Sequence, residues 1–320
     1  MSPVPSSSST PPKVGVIFNP RSHRNAKLRG AAEALPNAIV ASPAKRGELV
    51  AVLANFAAQG VECIAISGGD GTVRDVLTAG LPIFGDNWPP IAVVPAGKTN
   101  ALNLDLGAPK HWSLAEAITA LGDGQRVKRR PLVVRDLAIG GELAGFVLGA
   151  GLFTIAVGAG QNAHRLGAFD GLAIVATATW GLLQALFGSR QNRWRRGAAM
   201  RVRTGADDFE LPRSDRGDPA RRAMLLASTL EGFAFGVKPF GDRTGLKLAV
   251  MDYPRRRLMA TIPAVACGWD SPWLETMGLH RCETERIVLA IDDRFILDGE
   301  AFPAGSYEIT PGPELSFVVP

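Results

Sequence analysis

A glycine-rich turn is the segment of this chain with the clearest chemical potential. Residues 66–72 read Ile-Ser-Gly-Gly-Asp-Gly-Thr and follow the apolar run Glu62–Ile66, which predicts a buried parallel strand. Glycines after such a strand let a ligand approach the backbone closely. We expect a helix to begin at Thr72, where Thr72 and Asp75 fit a capping pattern, and to favour negative charge at its N-terminus. The turn therefore predicts an anionic ligand, most simply a phosphate.

Asp70 is the unexpected residue in this turn. A carboxylate in a phosphate cradle repels the ligand unless the carboxylate binds a metal ion or takes up a proton. An acid at this position therefore favours a site that transfers a phosphoryl group over one that only binds phosphate.

Two further polar turns follow predicted strands of the same kind. Residues Asn19–His23 follow the strand Lys13–Phe18, and residues Pro95–Asn100 follow the strand Pro90–Val94. Helical patterns lie between these strands, so the segment predicts βα units around a parallel sheet. Ligands of such sheets bind at the carboxyl ends of the strands, and we expect the three turns to meet there.

The pattern changes near residue 130. Leu132–Ile139 and Leu143–Ala150 flank a Gly-Gly pair and predict a β-hairpin, and Arg286–Ile291 with Arg294–Leu297 predict a second one. One long helix is expected near residues 165–188. We therefore predict a disordered tail at 1–12, an α/β domain with a parallel sheet at 13–130, and a mostly antiparallel β domain at 131–320. The last strand is a candidate to return to the first domain.

Composition limits the partners. The net charge of +5 fits nucleotide phosphates, an acidic membrane surface or nucleic acid, although a solvated arginine-rich surface gives the same charge. The 3 cysteines are scattered, which suggests neither disulfides nor a zinc site and fits a reducing, cytoplasmic compartment. The tail does not resemble a secretory signal, and Gly171–Phe187 falls short of the roughly 20 apolar residues that span a bilayer.

Four motifs, in order, resemble the diacylglycerol kinase catalytic-domain family, which includes bacterial diacylglycerol and phosphatidylglycerol kinases, sphingosine kinases and ceramide kinases. Asn19–Ser22 is similar to the family's N-P-x-S-G turn, with His23 in place of the glycine. Gly68–Thr72 matches G-G-D-G-T, and Asp298–Glu300 matches D-G-E. Pro95–Asn100 is similar to P-x-G-T-x-N-D. The resemblance spans nearly the whole folded chain and implies a nucleotide-binding α/β domain, of the kind found in NAD kinases and lipid kinases, followed by a β-sandwich domain.

The resemblance also implies roles for individual residues. Glu300 would accept a proton, with Asp298 beside it, and Asp70 would orient Mg²⁺ or share the role of base. ATP would be bound by residues of the three turns, namely Asn19, Ser22, Gly68, Gly69, Gly71, Thr72, Lys98, Thr99 and Asn100. The acceptor would be a primary hydroxyl of a diacylglycerol-like lipid or of a ceramide or sphingoid lipid.

Two alternatives stay open at this point. An NAD kinase is one, because that family also carries a G-G-D-G turn. A nucleotide- or lipid-binding module without catalytic activity is the other, because Lys98 and Ala101 replace a threonine and an aspartate of the family's third motif. The intact Asp70 and Glu300 argue against the second alternative.

A lipid substrate raises the question of membrane contact. The apolar stretch Gly171–Phe187 precedes Arg190, Arg193, Trp194, Arg195 and Arg196. This order suits peripheral contact with the anionic inner face of a membrane, and it equally suits a helix that packs on the β domain and exposes a basic end. We expect no nucleic acid partner, since no known nucleic-acid-binding module is present, and leave a homodimer open.

Overall fold

Short apolar strands and amphipathic helices alternate along the first part of the chain and then give way to strands in pairs. The computed structural model describes residues 12–19, 37–97, 99–165, 179–181, 183–189 and 192–320. The strands are, in chain order, β1 (Val14–Phe18), β2 (Ala38–Ala41), β3 (Cys63–Gly68), β4 (Ile91–Pro95), β5 (Gln125–Arg129), β6 (Leu132–Asp136), β7 (Glu142–Gly145), β8 (Val147–Gly151), β9 (Ala198–Thr204), β10 (Phe209–Glu210), β11 (Arg221–Arg222), β12 (Met224–Ser228), β13 (Lys247–Met251), β14 (Leu279–Glu283), β15 (Ile287–Ile291), β16 (Phe295–Leu297), β17 (Glu300–Phe302), β18 (Gly305–Pro311) and β19 (Leu315–Val319).

The helices follow the same numbering in chain order. They are α1 (Arg46–Ala58), α2 (Asp70–Phe84), α3 (Ala101–Asp105), α4 (Leu114–Asp123), α5 (Leu152–Arg165), α6 (Arg193–Arg196), α7 (Arg256–Ala266) and α8 (Pro272–Thr276). Residues 179–181 and 183–187 are also helical. In the part of the chain that the structure describes, none of the helices combines the length and the apolar character that crossing a bilayer requires.

The first sheet has the strand order β2-β1-β3-β4-β19-β5. Its strands β1 to β4 are parallel, and β1, β3 and β4 are buried along their whole length. Apolar residues of these strands belong to two separate clusters, one on each face of the sheet. The helices cover both faces, which is why these strands are apolar throughout rather than alternating.

The remaining strands form two antiparallel sheets packed face to face. One has the order β10-β9-β15-β18-β6-β7, with β11 also on β9, and the other has the order β14-β13-β12-β8-β16-β17. Inward-facing residues from both sheets, such as Val134, Leu248 and Phe295, make one core cluster. The predicted fold class, an α/β domain with a mostly parallel sheet followed by an antiparallel β-sandwich, is confirmed.

The two predicted hairpins are corrected by this topology. Strand β6 does pair with β7, but the expected strand 143–150 breaks at Phe146 into β7 and β8, which belong to different sheets. Likewise β15 and β16 do not pair with each other and lie in opposite sheets. Each of these strands buries one face in the core, so a short connection can carry the chain from one sheet to the other, as the sandwich requires.

Two other predictions fall largely outside the described residues. The predicted disordered tail covers residues 1–12, of which 1–11 are not described. The predicted long helix near 165–188 includes residues 166–178, which are also outside the described part. Helix α5 begins at Leu152, well before the start of the predicted helix. Residues 183–187, near the end of the predicted helix, are helical.

The last strand, β19, lies between two strands of the first domain. It is parallel to β4 and antiparallel to β5, and Phe317 is fully buried beside Phe146 of the second domain. The last strand therefore joins the first sheet between β4 and β5, after the chain has passed through the sandwich.

We expect Phe317→Ala to lower the free energy of unfolding by about 3–5 kcal/mol, because it leaves a cavity where the two domains meet. Urea denaturation followed by circular dichroism measures this loss. Phe209→Ala is the matched control, because Phe209 is mostly exposed and its loss should change stability by about 0.5 kcal/mol or less. A loss of similar size in both variants would contradict the proposed placement of Phe317.

Candidate functional site

A cleft of about 410 Å³ lies where the carboxyl ends of β3 and β4 face the β16–β17 turn of the sandwich. Residues from both domains line it. They are Asn19, Arg46, Gly69, Gly71, Thr72, Arg74, Asp75, Ala96, Gly97, Asp298, Gly299 and Glu300. The position agrees with the rule that ligands bind at the carboxyl ends of parallel strands.

Two glycine turns of the first domain pack backbone against backbone. The N–H of Ala96 donates to the carbonyl of Gly68 at 3.0 Å. A Cβ on Gly97 would lie 2.4 Å from the Cα of Gly69, and a Cβ on Gly69 would lie 2.8 Å from the Cα of Gly97. A side chain at either position would therefore push the turns apart, which explains why both residues are glycine. At Gly71 a Cβ would meet only the tip of Arg74, at 3.8 Å.

Asp70 links the glycine-rich turn to helix α3. Its Oδ1 accepts a hydrogen bond from the N–H of Leu102 at 3.2 Å, in the first turn of α3. Burial raises the pKa of Asp70, and backbone hydrogen bonds from residues 100–102 partly offset this shift. Asp70 is not one of the described residues that line the cleft. In this structure its carboxylate holds two turns together.

Helix α2 begins at Asp70 with Gly69 as its N-cap, so the expected start at Thr72 is wrong. Gly69 adopts an extended conformation, and the helix can therefore begin directly after it. The side chain of Thr72 makes a different contact: its Oγ1 accepts a hydrogen bond from Nδ2 of Asn19 at 2.9 Å. This bond joins two of the three predicted turns.

Asn100 shapes the third turn. It has a left-handed backbone conformation, with φ of 48°, and its side-chain amide bonds both the N–H and the carbonyl of Gly97, at 3.0 and 2.9 Å. Thr99 is exposed and does not line the cleft. Ser22 and Lys98 lie outside the described residues, so their predicted contacts with nucleotide stay predictions.

Asp298 holds the point where the chain passes from one sheet to the other. Its carboxylate accepts hydrogen bonds from the N–H groups of Phe146, at 3.0 Å, and Val147, at 2.9 Å. Its own φ of 46° is one that aspartate and asparagine tolerate better than most residues. Burial, followed by the charge of Asp70, raises the pKa of Asp298 to about 7, against the effect of the two N–H donors.

Glu300 meets two arginines of the first domain. Its Oε2 accepts hydrogen bonds from Arg46 and Arg74. Arg46 and Arg74 also pair with Asp75, at 2.9 and 2.7 Å. Burial alone would raise the pKa of Glu300, but the hydrogen bond from Arg46 and the charge of Arg74 outweigh it, so the pKa lies below its ordinary value. Glu300 is therefore ionised at neutral pH.

Arg74 is the buried member of this group. Its side chain is only 3% exposed, its Nη1 donates to the carbonyl of Leu297 at 3.2 Å, and its guanidinium lies over the ring of Phe302 at 5.6 Å from the centroid. Sequence reasoning assigned no role to Arg46 or Arg74 and gave Asp75 only a helix-capping role. The sequence does contain a signal for Arg74, because this residue stands between Val73 and Val76 on the buried face of α2. A buried arginine requires a partner, so its position predicts an ion pair.

The structure thus brings together six of the predicted site residues in one cleft: Asn19, Gly69, Gly71, Thr72, Asp298 and Glu300. Gly68 is the last residue of β3, and a Cβ there would lie 2.5 Å from Thr72, so it provides close packing under the turn. Asp70 and Asn100 shape the turns from behind.

The carboxylates around the cleft offer oxygen ligands of the type that Mg²⁺ prefers. Within the described ranges, however, no three His, Cys, Asp or Glu side chains are grouped so that they could hold a metal ion. Asp70 and Asp298 are close enough for the charge of one to raise the pKa of the other. A cation between them would relieve this repulsion, so these are the two carboxylates that could hold one.

We expect Gly97→Ala to lower the free energy of unfolding by about 1–3 kcal/mol, because its methyl group would overlap the backbone of Gly69. Chemical denaturation measures the change. Gly122→Ala, in helix α4, is the control: a methyl group there meets nothing within 4 Å and should stabilise the helix by about 0.4–1 kcal/mol. Equal effects in the two variants would show that the turns are not tightly packed.

The raised pKa of Asp298 predicts a pH dependence of stability. At a pH between 3.8, the ordinary pKa of the group, and about 7, Asp298 holds a proton in the folded protein that it has released in the unfolded chain. The contribution of Asp298 to stability is therefore lost as pH rises through this range. Asp298→Asn keeps the size and the left-handed preference but carries no charge.

We therefore expect the wild type to lose stability relative to Asp298→Asn between about pH 5 and about pH 8. Urea denaturation of both proteins in buffer without divalent cations measures the difference at each pH. A difference that stays constant across the two pH values would mean that the carboxyl group is not protonated in the folded protein.

Comparison with known proteins agrees with this geometry. Residues 13–131 match the model of the diacylglycerol kinase catalytic domain. No curated protein matches the chain. One crystal structure from Bacillus anthracis str. Sterne, provisionally assigned as a diacylglycerol kinase, superposes with a TM-score of 0.66 at 16% identity over 98% of this chain and 99% of that chain.

A second structure from the same organism, named as a diacylglycerol kinase, gives a TM-score of 0.62 at 15% identity over 96% of this chain and 97% of that chain. At such low identity the superpositions establish a shared two-domain fold rather than a shared substrate. The family match covers the glycine turns and Arg74, and the superposed fold extends to the segment that carries Glu300. Residues 13–131 of this chain therefore match the diacylglycerol kinase catalytic domain, and the chain shares its two-domain fold with these structures.

Proposed function

We propose that the protein is an ATP- and Mg²⁺-dependent lipid kinase that phosphorylates a primary hydroxyl of a diacylglycerol-like lipid or of a ceramide or sphingoid lipid. One observation carries the proposal: the glycine turns of the first domain and the Asp298–Glu300 segment of the second line the same cleft. Phosphoryl transfer requires mainly that phosphate and acceptor hydroxyl be held in line and that charge be neutralised, and a cleft between two domains suits both tasks.

The first domain offers the phosphate side of the cleft. Gly69, Gly71 and Thr72 lie at the N-terminus of α2, which carries a partial positive charge and backbone N–H groups without helical partners. Arg46 is more than half exposed and can turn towards an incoming phosphate. Asn19 lies beside Thr72 and would bond the nucleotide on the same side of the cleft.

Glu300 is the proposed proton acceptor. It is ionised, and its side chain is more accessible than that of Arg74, which holds it from below. In the structure its low pKa makes it a weak base, because two arginines stabilise its charge. Nucleotide phosphates would compete for Arg46, and loss of that hydrogen bond would raise the pKa of Glu300 towards the value that proton transfer favours. Binding of nucleotide would thus activate the base.

Asp298 and Asp70 would act beside Glu300. Mg²⁺, when bound, supplies positive charge that offsets the charge of the phosphate oxygens, and Asp70 is the residue that we propose to orient it. Asp298 would place the Asp298–Glu300 turn through its hydrogen bonds with the backbone of Phe146 and Val147.

The identity of the molecule that accepts the phosphoryl group distinguishes the proposed lipid kinase from the two alternatives. An NAD kinase would use the same glycine turn, and a binding module would bind nucleotide without turnover. The discriminating experiment incubates the full chain with labelled ATP, Mg²⁺ and, in separate reactions, diacylglycerol, sphingosine, ceramide or NAD. We expect label in a lipid product and none in NADP. Labelled NADP alone would favour the NAD kinase, and nucleotide binding without any product would favour the binding module.

Glu300→Gln tests the proposed base in the same assay. We expect kcat to fall by roughly 10²–10⁴-fold, because the variant keeps the shape of the side chain but cannot accept the proton. Glu314→Gln is the matched control, since Glu314 is an exposed acid that pairs with Lys128 far from the cleft. Near wild-type turnover in Glu300→Gln would show that Glu300 is not the proton acceptor. Because a lipid product would still form, this result would not contradict the proposed function.

A further inference from the structure

A second cavity, of about 700 Å³, lies on the sandwich domain at the N-terminus of helix α7. Five arginines and a tyrosine make up most of its wall, and none of the described lining residues is acidic. They are Arg195, Arg216, Tyr253, Arg255, Arg256 and Arg257. Five cations around one cavity repel one another, so the arrangement favours an anion within it.

Two of these arginines are fixed in place. The buried Arg195 donates to the carbonyl of Ala185 and to the hydroxyl of Tyr253, at 3.2 Å to the latter, and its guanidinium lies 5.3 Å from the centre of the Tyr253 ring. Arg255 pairs with the exposed Asp215 at 2.5 Å, and its Nε is buried without a hydrogen-bond partner among the described residues. Arg216, Arg256 and Arg257 are exposed.

A row of exposed apolar side chains adjoins the cavity. Trp180, Leu183 and Phe187 are 58%, 42% and 77% exposed, and their spacing puts them on one face of the helical residues 179–181 and 183–187. The opposite face is anchored, since Ala185 is buried in a cluster with Trp194. Gly188 and Ser189, the next residues along the chain, line the cavity itself.

Arg195 connects the two features. Its bond to the carbonyl of Ala185 caps the C-terminal end of the helical residues, and its contacts with Tyr253 reach the N-terminus of α7. The apolar row and the basic cavity are therefore held side by side as one surface. A free anion would make no favourable contact with the apolar row. A bilayer, in contrast, presents phosphate groups next to acyl chains.

We infer that this surface, formed by the arginine cavity and Trp180, Leu183 and Phe187, docks the protein on an anionic bilayer, with a phospholipid phosphate group in the cavity. The apolar side chains enter the boundary between headgroups and acyl chains, while Arg256 and Arg257 meet the headgroups. The inference goes beyond the proposed kinase activity, and its test requires neither nucleotide nor turnover, so that either can fail without the other.

The test is flotation of the full chain with phosphatidylcholine vesicles, with and without phosphatidylglycerol. We expect binding that requires phosphatidylglycerol and weakens with salt. The double variant Arg256→Gln/Arg257→Gln should lower the partition coefficient roughly 25-fold, from about 5-fold for each arginine near an anionic surface. Trp180→Ala/Phe187→Ala should also lower it, but should leave the salt dependence of the remaining binding unchanged.

Matched controls separate this surface from the overall charge. Arg126→Gln/Arg130→Gln removes two exposed arginines from the first domain and should bind vesicles like the wild type. Asp215→Asn should bind more tightly, because it removes the acid that competes for Arg255. Equal binding to neutral vesicles would overturn the inference, as would equal losses in the control pair. Binding of inorganic phosphate without any vesicle binding would also overturn it and would indicate a site for a free anion.

Discussion

The buried guanidinium of Arg74 is the constraint on which the site depends. A charge that is removed from water must be met by partners, and breaking such a pair is far more costly than the pair is stabilising. The partners of Arg74 come from both domains: Asp75 from its own helix, and Leu297 and Glu300 from the sandwich. The orientation of the glycine turns relative to the Asp298–Glu300 segment is therefore tied to one side chain.

A second set of contacts restrains the domains on the far side of the cleft. The side chain of Asp105, at the end of α3, is fully buried and accepts hydrogen bonds from Arg129 at 2.7 Å and from the backbone of Glu231 and Gly232 at 2.7 and 2.5 Å. Helix α3 is itself bonded to Asp70 at its other end. A short helix thus runs from the glycine turn to the second domain. Strand β19, which returns to the first sheet, is a further connection between the two domains.

Local patterns in the sequence were sufficient for the parallel α/β domain, for the antiparallel character of the second domain and for much of the cleft. Apolar strands followed by glycine turns identify a parallel sheet, and parallel strands bring their carboxyl ends to one edge regardless of the details between them. Gly69, Gly71 and Thr72 could be placed on these grounds alone. The place of Asp298 and Glu300 in the same cleft depended on the family resemblance, since nothing local ties residue 300 to residue 70.

What the sequence could not supply depends on contacts between distant segments. The break at Phe146 follows from the carboxylate of Asp298, which is 152 residues away and accepts the N–H at the break. The partners of Glu300 could not be predicted from local patterns either, because Arg46 lies 254 residues from it in the sequence. The start of α2 was missed for a local reason: Thr72 and Asp75 fit a capping pattern, but Gly69 caps the helix three residues earlier.

The two acids of the Asp298–Glu300 turn have opposite electrostatic environments. Glu300 has its pKa lowered by two arginines, whereas burial and the charge of Asp70 raise the pKa of Asp298 to about 7. An incoming polyanion would draw Arg46 away from Glu300 and add negative charge beside Asp298, so both pKa values would rise. Positive charge that arrives with the polyanion would offset this cost. The electrostatics of the cleft would thus favour the proposed nucleotide entering with its metal ion over entering alone.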